Sequence, residues 1–209
     1  MEGAKIQRRI TMNTKEKILS RLRNGVQEKF YMPALDKLHG ITYDDPVAQF
    51  ILKATTTAGA RLIELTEEAD LNNAIHQAYP QARIIASNLA GIDAQLNPDT
   101  VPEARDLTSV DVGIVEGRIG VAENACIWVP QTMKEKAVCF ASENLVILLQ
   151  RADIVSNMHQ AYALIAASDE YFHDYKFGTF ISGPSKTADI ESALVYGAQA
   201  ARSLTIILR

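Results

Sequence analysis

Residues 46–65 read PVAQFILKATTTAGARLIEL, and residues 66–87 continue TEEADLNNAIHQAYPQARIIAS. Pro46 suits the first turn of a helix, where its missing N–H costs nothing, and the run from Pro46 to Ala58 reads as that helix. Gly59 ends it, and Ala60 to Leu65 is a strand. Thr66-Glu67-Glu68 opens a second helix running to about Ala78. Gln81 to Ser87, rich in Ile, is a second strand. Helix, strand, helix and strand at this spacing imply parallel strands joined by crossover helices. The expected class is therefore α/β, with a central, largely parallel sheet flanked by helices.

Reading toward the N-terminus, Phe30 to Pro46 is irregular, broken by Pro33 and Gly40. Asn13-Thr14-Lys15-Glu16 sets a cap residue three before a Glu, a capping box. The helix it opens carries Ile18, Leu19, Leu22 and Val26 on one side and Lys15, Lys17, Arg21 and Arg23 on the other. Residues 1–12 read as a flexible leader, with Met12 as well as Met1 a possible start. Residues 13–209 read as one α/β domain.

Toward the C-terminus, Leu89 to Asp106 has no period and contains Gly91, Pro98 and Pro102. So long a connection is often functional, for instance as a lid. Ser109 to Trp128 holds short β segments joined by Gly113, Gly117 and Gly120. Ala137 to Phe140 and Leu145 to Leu149 read as strands, and Ser156 to Ser168 as a helix. Gly178 to Ser182 is a strand. A turn, Gly183-Pro184-Ser185-Lys186-Thr187, then leads into a helix suggested by Ile190, Ala193 and Leu194 and reaching about Ala200. Leu204 to Leu208 is the last strand.

Composition excludes several classes. A net charge of −4, with Lys and Arg spread along the chain, lacks the concentrated basic face of a nucleic-acid binder. No apolar run approaches the roughly 20 residues needed to span a bilayer, so no membrane partner is expected. Two cysteines, Cys126 and Cys139, with no signal-peptide pattern, indicate a reduced, cytoplasmic setting. Two distant thiols cannot ligate an iron–sulfur cluster, which usually takes four. The four histidines, His39, His76, His159 and His173, show no ligand spacing, so no metal site is expected. Any redox centre belongs to a partner or a dissociable cofactor. The glycines at 113, 117 and 120 do not spell a dinucleotide fingerprint.

Chemistry concentrates at the turn 183–187. A helix start there would offer unpaired N–H groups and partial positive charge to a carboxylate or phosphate. Ser185 and Thr187 also suit plain helix capping, and both readings stand. Open parallel sheets bind ligands beyond the carboxyl ends of their strands. Three segments are expected to meet there: this turn, residues 121–126, and Gly197-Ala198-Gln199. Glu123 is a carboxylate within the apolar stretch Ile119 to Val129. It is either a catalytic acid, base or nucleophile in a cleft or an outward residue of a half-buried strand.

The nine residues GPSKTADIE, Gly183 to Glu191, resemble the signature of the LUD-domain family, the lactate-utilisation protein C group, which reads G-P-S-R/K-T-A-D-I-E. Ala122-Glu123 is similar to the start of that family's A-E-T-G-T turn, and Leu145 to Ile154 resembles its preceding strand. The resemblance covers roughly Gln49 to Arg209. It implies a fold like that of ribose-phosphate isomerase and CoA-transferases. It also implies a part in oxidising L-lactate, with the iron–sulfur clusters in a partner subunit. On that basis the expected binding residues are Gly183, Pro184, Ser185, Lys186, Thr187, Asp189, Asn124 and Gln199, around a small carboxylate or phosphate, with Glu123 as the expected catalytic group. Two segments depart from the family. A-E-T-G-T becomes Ala122-Glu123-Asn124-Ala125-Cys126, and G-V-H-G-P becomes Gly197-Ala198-Gln199-Ala200-Ala201. Gln199 can hydrogen-bond but cannot shuttle protons as His does. A stand-alone enzyme acting on a sugar phosphate, CoA ester or folate remains open, as does a binding or regulatory module without chemistry.

Overall fold

The computed structural model describes residues 13–25, 28, 30, 31, 34, 40–66, 70–167, 176–190 and 192–209. The chain divides into two compact units, Met1–His39 and Gly40–Arg209. In the first, α1 spans Thr14–Gly25. Its capping box is in place: the Glu16 amide donates to Asn13 Oδ1 at 2.9 Å, and the Asn13 amide donates to Glu16 Oε2 at 3.0 Å. The expected leader, 1–12, and Val26 lie outside the described residues.

The second unit opens with α2, Pro46–Lys53, whose first turn is capped by Asp45 Oδ1 accepting from the Ala48 amide at 2.9 Å. The helix loosens into a π turn at Ala54–Ala58. There the Thr55 and Thr56 hydroxyls donate to the carbonyls of Ile51 and Leu52 and compete with the regular ladder. Gly59, at φ +77°, stops it, as a left-handed residue after a helix does. β1 is Arg61–Glu64. α3 is Leu71–Ala78, with Asp70 accepting from the Asn72 and Asn73 amides. This helix was expected to open at Thr66-Glu67-Glu68. Its start is the Asp70 cap, and Glu67 and Glu68 lie outside the described residues.

The remaining elements are β2, Ile85–Ala86; β3, Val112–Glu116; β4, Ile119–Val121; β5, Cys126–Pro130; and α4, Val138–Ala141. They continue with β6, Asn144–Leu149; β7, Ile154–Val155; α5, Met158–Ala167; and β8, Gly178–Ile181. β9, Lys186–Ile190, β10, Ala193–Tyr196, and β11, Ser203–Leu208, complete the chain. The central sheet runs β1-β11-β6-β3-β2, and every pairing is parallel. A second sheet, β7-β4-β5-β8, is mixed.

Strand alternation divides the core. Leu145, Ile147 and Leu149 of β6, with Leu204, Ile206 and Leu208 of β11, face α2 and the second sheet through Phe50, Ala54, Ile127 and Val129. The alternate residues Val146, Leu148 and Ile207 face α3 through Ile75. The far side of the second sheet, Ile119, Val121, Cys126 and Trp128, packs on Ala161 and Ile165 of α5. The layers are thus α3, the parallel sheet, the second sheet beside α2, and α5. Covering on both faces is what a parallel sheet requires.

Three expectations give way. The helix after the signature turn is an antiparallel hairpin of β9 and β10, turning at Ser192, φ +58°. Its register shifts between Ala193 and Val195. That irregularity breaks the two-residue alternation, so Ile190, Ala193 and Leu194 mimic a helical spacing. The strand expected at Ala137 to Phe140 is the single turn of α4, closed by the Ser142 hydroxyl on the Val138 carbonyl at 2.8 Å. A four-residue apolar run does not distinguish the two by period. The strand expected over Gln81 to Ser87 pairs only at Ile85 and Ala86, because the Arg83 and Ile84 amides donate to Asp111 Oδ2 at 2.8 and 2.9 Å. The connection Leu89 to Asp106 buries Val101 in the core, with Leu107 buried just beyond it.

Candidate functional site

The hairpin carrying the signature leads directly into β11, which places it at the amino end of that strand. Its base is tied by backbone: the Ser185 amide donates to the Ala201 carbonyl at 2.9 Å, and the Gly197 amide to the Ser185 carbonyl at 3.0 Å. Gly183 sits at φ +69°. A Cβ there would lie 2.9 Å from the Ala58 carbonyl carbon and closer still to its oxygen, so only glycine fits. From the other side, Lys186 Nζ donates to the Ala58 carbonyl at 2.7 Å and reaches the Thr57 carbonyl at 3.5 Å. These are carbonyls that a helix end leaves without partners, and a cation there opposes the negative end of the helix dipole.

Behind this turn lies a cavity of about 410 Å³. The strand residues Leu145 and Leu204, with Cys139, form its buried floor, while Ser185, Lys186 and Gln199 stand at its polar side. The structure therefore brings Gly183, Pro184, Ser185, Lys186 and Gln199 to one cavity. The side chains of Ser185 and Gln199 make no hydrogen bond among the described residues. Leu145 and Leu204 are each the second residue of their strand, so the cavity opens at the amino edge of the sheet and not at the expected carboxyl edge. The carboxyl edge is crossed by ion pairs. Arg151 pairs with Glu64, and Glu116 takes Arg118 and Arg209, each at 3.2 Å.

Other expected residues lie apart from the cavity. Glu123 is half-buried, and its Oε1 accepts from the Met158 amide at 3.0 Å, capping the first turn of α5. Asn124 Oδ1 accepts from the Cys126 amide at 3.1 Å, and its carbonyl accepts from the hydroxyl of Ser182, the residue before the signature, at 2.9 Å. Thr187 and Asp189 lie along β9, where Thr187 Oγ1 accepts from the Asp189 amide at 3.2 Å. Ala125, standing where the resemblance has Gly, keeps a left-handed backbone at φ +55°. Burial pushes both thiols, Cys126 and Cys139, up to about 12, which makes them inert. Among the described residues no group of three or more His, Cys, Asp or Glu is placed to hold a metal, and no helix is long and apolar enough to cross a membrane.

The floor residues Cys139, Leu145 and Leu204 and the Ala58 carbonyl were not legible as site components. They come from segments up to 128 positions from Lys186. The one local signal was Gly59, which marks a helix end whose carbonyls need a donor.

The family model described as the LUD domain matches residues 67–208. The fold is similar to the crystal structure, at 1.70 Å resolution, of a DUF162 family protein from Deinococcus radiodurans, with a TM-score of 0.59 and 17% sequence identity over 81% of this chain and 99% of that one. No curated protein matches. The family match spans more than half of the sequence and agrees with the position of the signature hairpin, and the chain belongs to the LUD-domain family.

Proposed function

We propose that this LUD-domain protein is a cluster-free, cytoplasmic component of an L-lactate oxidation system, and that it binds a small carboxylate or phosphate in the cavity behind Gly183–Lys186. The observation that carries this reading is the convergence of the signature turn and Gln199 on one cavity whose cation is Lys186. Ser185 and Gln199 supply donors not committed elsewhere among the described residues, and a small set of fixed polar groups in an otherwise apolar pocket is how such sites orient ligands. The iron–sulfur clusters that would accept the electrons would belong to a partner subunit, because two cysteines are too few for a cluster in this chain.

A second reading, a binding or regulatory module without chemistry, is favoured by two observations. Gln199 cannot move a proton as the family's His does, and Glu123 is committed to the Met158 amide.

Thermal-shift titration of the purified chain with lactate, pyruvate and inorganic phosphate tests the anion site, since a ligand that binds only the folded state raises the melting temperature. Affinity capture for a cysteine-rich partner and growth on lactate after deletion test the assignment to the system. No shift with any of these anions rejects the site. A shift without a partner and with normal growth favours the module.

A further inference from the structure

The cavity behind the signature turn is amphipathic, and its two halves select different parts of a ligand. Cys139, Leu145 and Leu204 are buried at its floor, and Phe140 and Phe180 extend that surface. Lys186 and Gln199 are exposed at its rim, with Ser185 half-buried beside them. The Lys186 ammonium has three N–H groups. Its Nζ lies 2.7 Å from the Ala58 carbonyl and 3.5 Å from the Thr57 carbonyl, so at most one N–H is left for a ligand. The amides of Ser185 and Gly197 are already used within the turn.

Such a rim matches the edge of one carboxylate. It does not supply the ring of backbone amides or the guanidinium fork that surrounds a phosphate. An exposed ion pair is also weak, so the headgroup alone gives low affinity. The volume, about 410 Å³, lies in the range of roughly 300–1,000 Å³ that encloses drug-sized ligands, far more than lactate fills.

The geometry points to a monocarboxylic acid with a bulky apolar tail, branched-aliphatic or aromatic, as the ligand of this cavity: its carboxylate meets Lys186, Ser185 and Gln199, and its tail lies on Cys139, Leu145 and Leu204. This rests on the reading of the cavity as an anion site and names the class of acid it takes.

Calorimetric titration of the full chain with lactate, 2-hydroxyisocaproate and 3-phenyllactate tests it, with the amide of phenyllactate and inorganic phosphate as controls. Affinity is expected to rise about fourfold for each buried methylene, with phenyllactate tightest, its amide about fivefold weaker, and phosphate weakest. Lys186→Met should bring the acid to the level of its amide. Phe140→Ser, at a position 40% exposed whose loss leaves the core intact, should reduce the gain from the tail. Equal affinity for lactate and phenyllactate, or phosphate binding tightest, overturns the class of ligand and leaves the anion site standing. Tight binding of phenyllactate that neither substitution changes places the site elsewhere and overturns the proposal. Failure of every acid and of phosphate to bind overturns both readings.

Discussion

Replacing Gly183 with Ala tests the claim that the signature turn is fixed by the end of the α2 π turn. An Ala at φ +69° costs about 1–2 kcal/mol over Gly, because Cβ crowds the following carbonyl in the left-handed region. Its methyl also falls on the Ala58 carbonyl, well inside the 3.0 Å that real Cβ contacts keep. Relief moves the turn away from Ala58 and weakens the Lys186 hydrogen bond to the same carbonyl or the Ser185 bond to Ala201. Losing one such bond costs about 1–3 kcal/mol, so with the backbone part the expected total is about 2–5 kcal/mol. Gly91 is the control: its φ is +82°, and a Cβ there meets nothing within 4 Å. Gly91→Ala should therefore cost only the backbone part, about 1–2 kcal/mol. Urea denaturation read by linear extrapolation, with unchanged m-values, gives both numbers. The melting temperature should fall by roughly 10 °C for Gly183→Ala, at about 2–4 °C per kcal/mol in a chain of this size. Equal losses for the two variants would refute the argument that contact with Ala58 selects glycine.

Asn157, 2% exposed, donates from Nδ2 to the Ile41 carbonyl at 2.8 Å and accepts from the Gln160 amide at 3.0 Å. Asn157→Ala should cost about 2 kcal/mol in urea denaturation, and a loss indistinguishable from zero would show that these bonds are replaced by water. The Asp111 carboxylate is held below its usual range by hydrogen bonds from the Ile84 and Arg83 amides and by the Arg83 charge. A depressed folded value means that its stabilisation is present above the unfolded value and disappears as pH falls through the folded one. The stability gap between the natural protein and Asp111→Asn should therefore shrink on acidification, and a gap constant from neutral to strongly acidic pH contradicts the assignment. Cys126 and Cys139, with thiols pushed up to about 12, should resist a thiol reagent near neutral pH and react once urea unfolds the chain. Prompt labelling of either in the native protein would show that its burial is incomplete.

The parallel sheet was legible because helix, strand, helix and strand in succession from Pro46 to Ser87 imply crossover connections, and a strand covered on both faces is apolar along its length. Leu145 to Leu149 and Leu204 to Leu208 carry that pattern, and both lie within strands of the central sheet. The hairpin was not legible, since a bulge near Ala193 replaces strict alternation with a spacing that imitates a helix. The signature stretch marked the right residues for attention but not their geometry. Which carbonyl receives Lys186, and which side chains floor the cavity, are set by contacts between distant segments. The edge of the sheet followed from a simpler rule that the general preference for carboxyl ends obscured: a segment that runs straight into a parallel strand ends at that strand's amino end.

Gly183 and Lys186 reach the same atom, the Ala58 carbonyl oxygen, from two directions. Part of what the signature encodes is therefore a joint between the hairpin and the end of the α2 π turn, whatever the cavity holds. This bears on how mutational data at the site are read. Loss of ligand affinity in a Lys186 variant mixes a lost contact with a lost cap on that turn. Gln199 has no such second role: it is exposed, lines the same cavity, and makes no side-chain hydrogen bond among the described residues. Replacing an exposed side chain of that kind changes stability by no more than about 0.5 kcal/mol. A change in affinity at Gln199 therefore reports on the cavity alone, and the ratio of the Lys186 effect to the Gln199 effect separates the joint from the ligand.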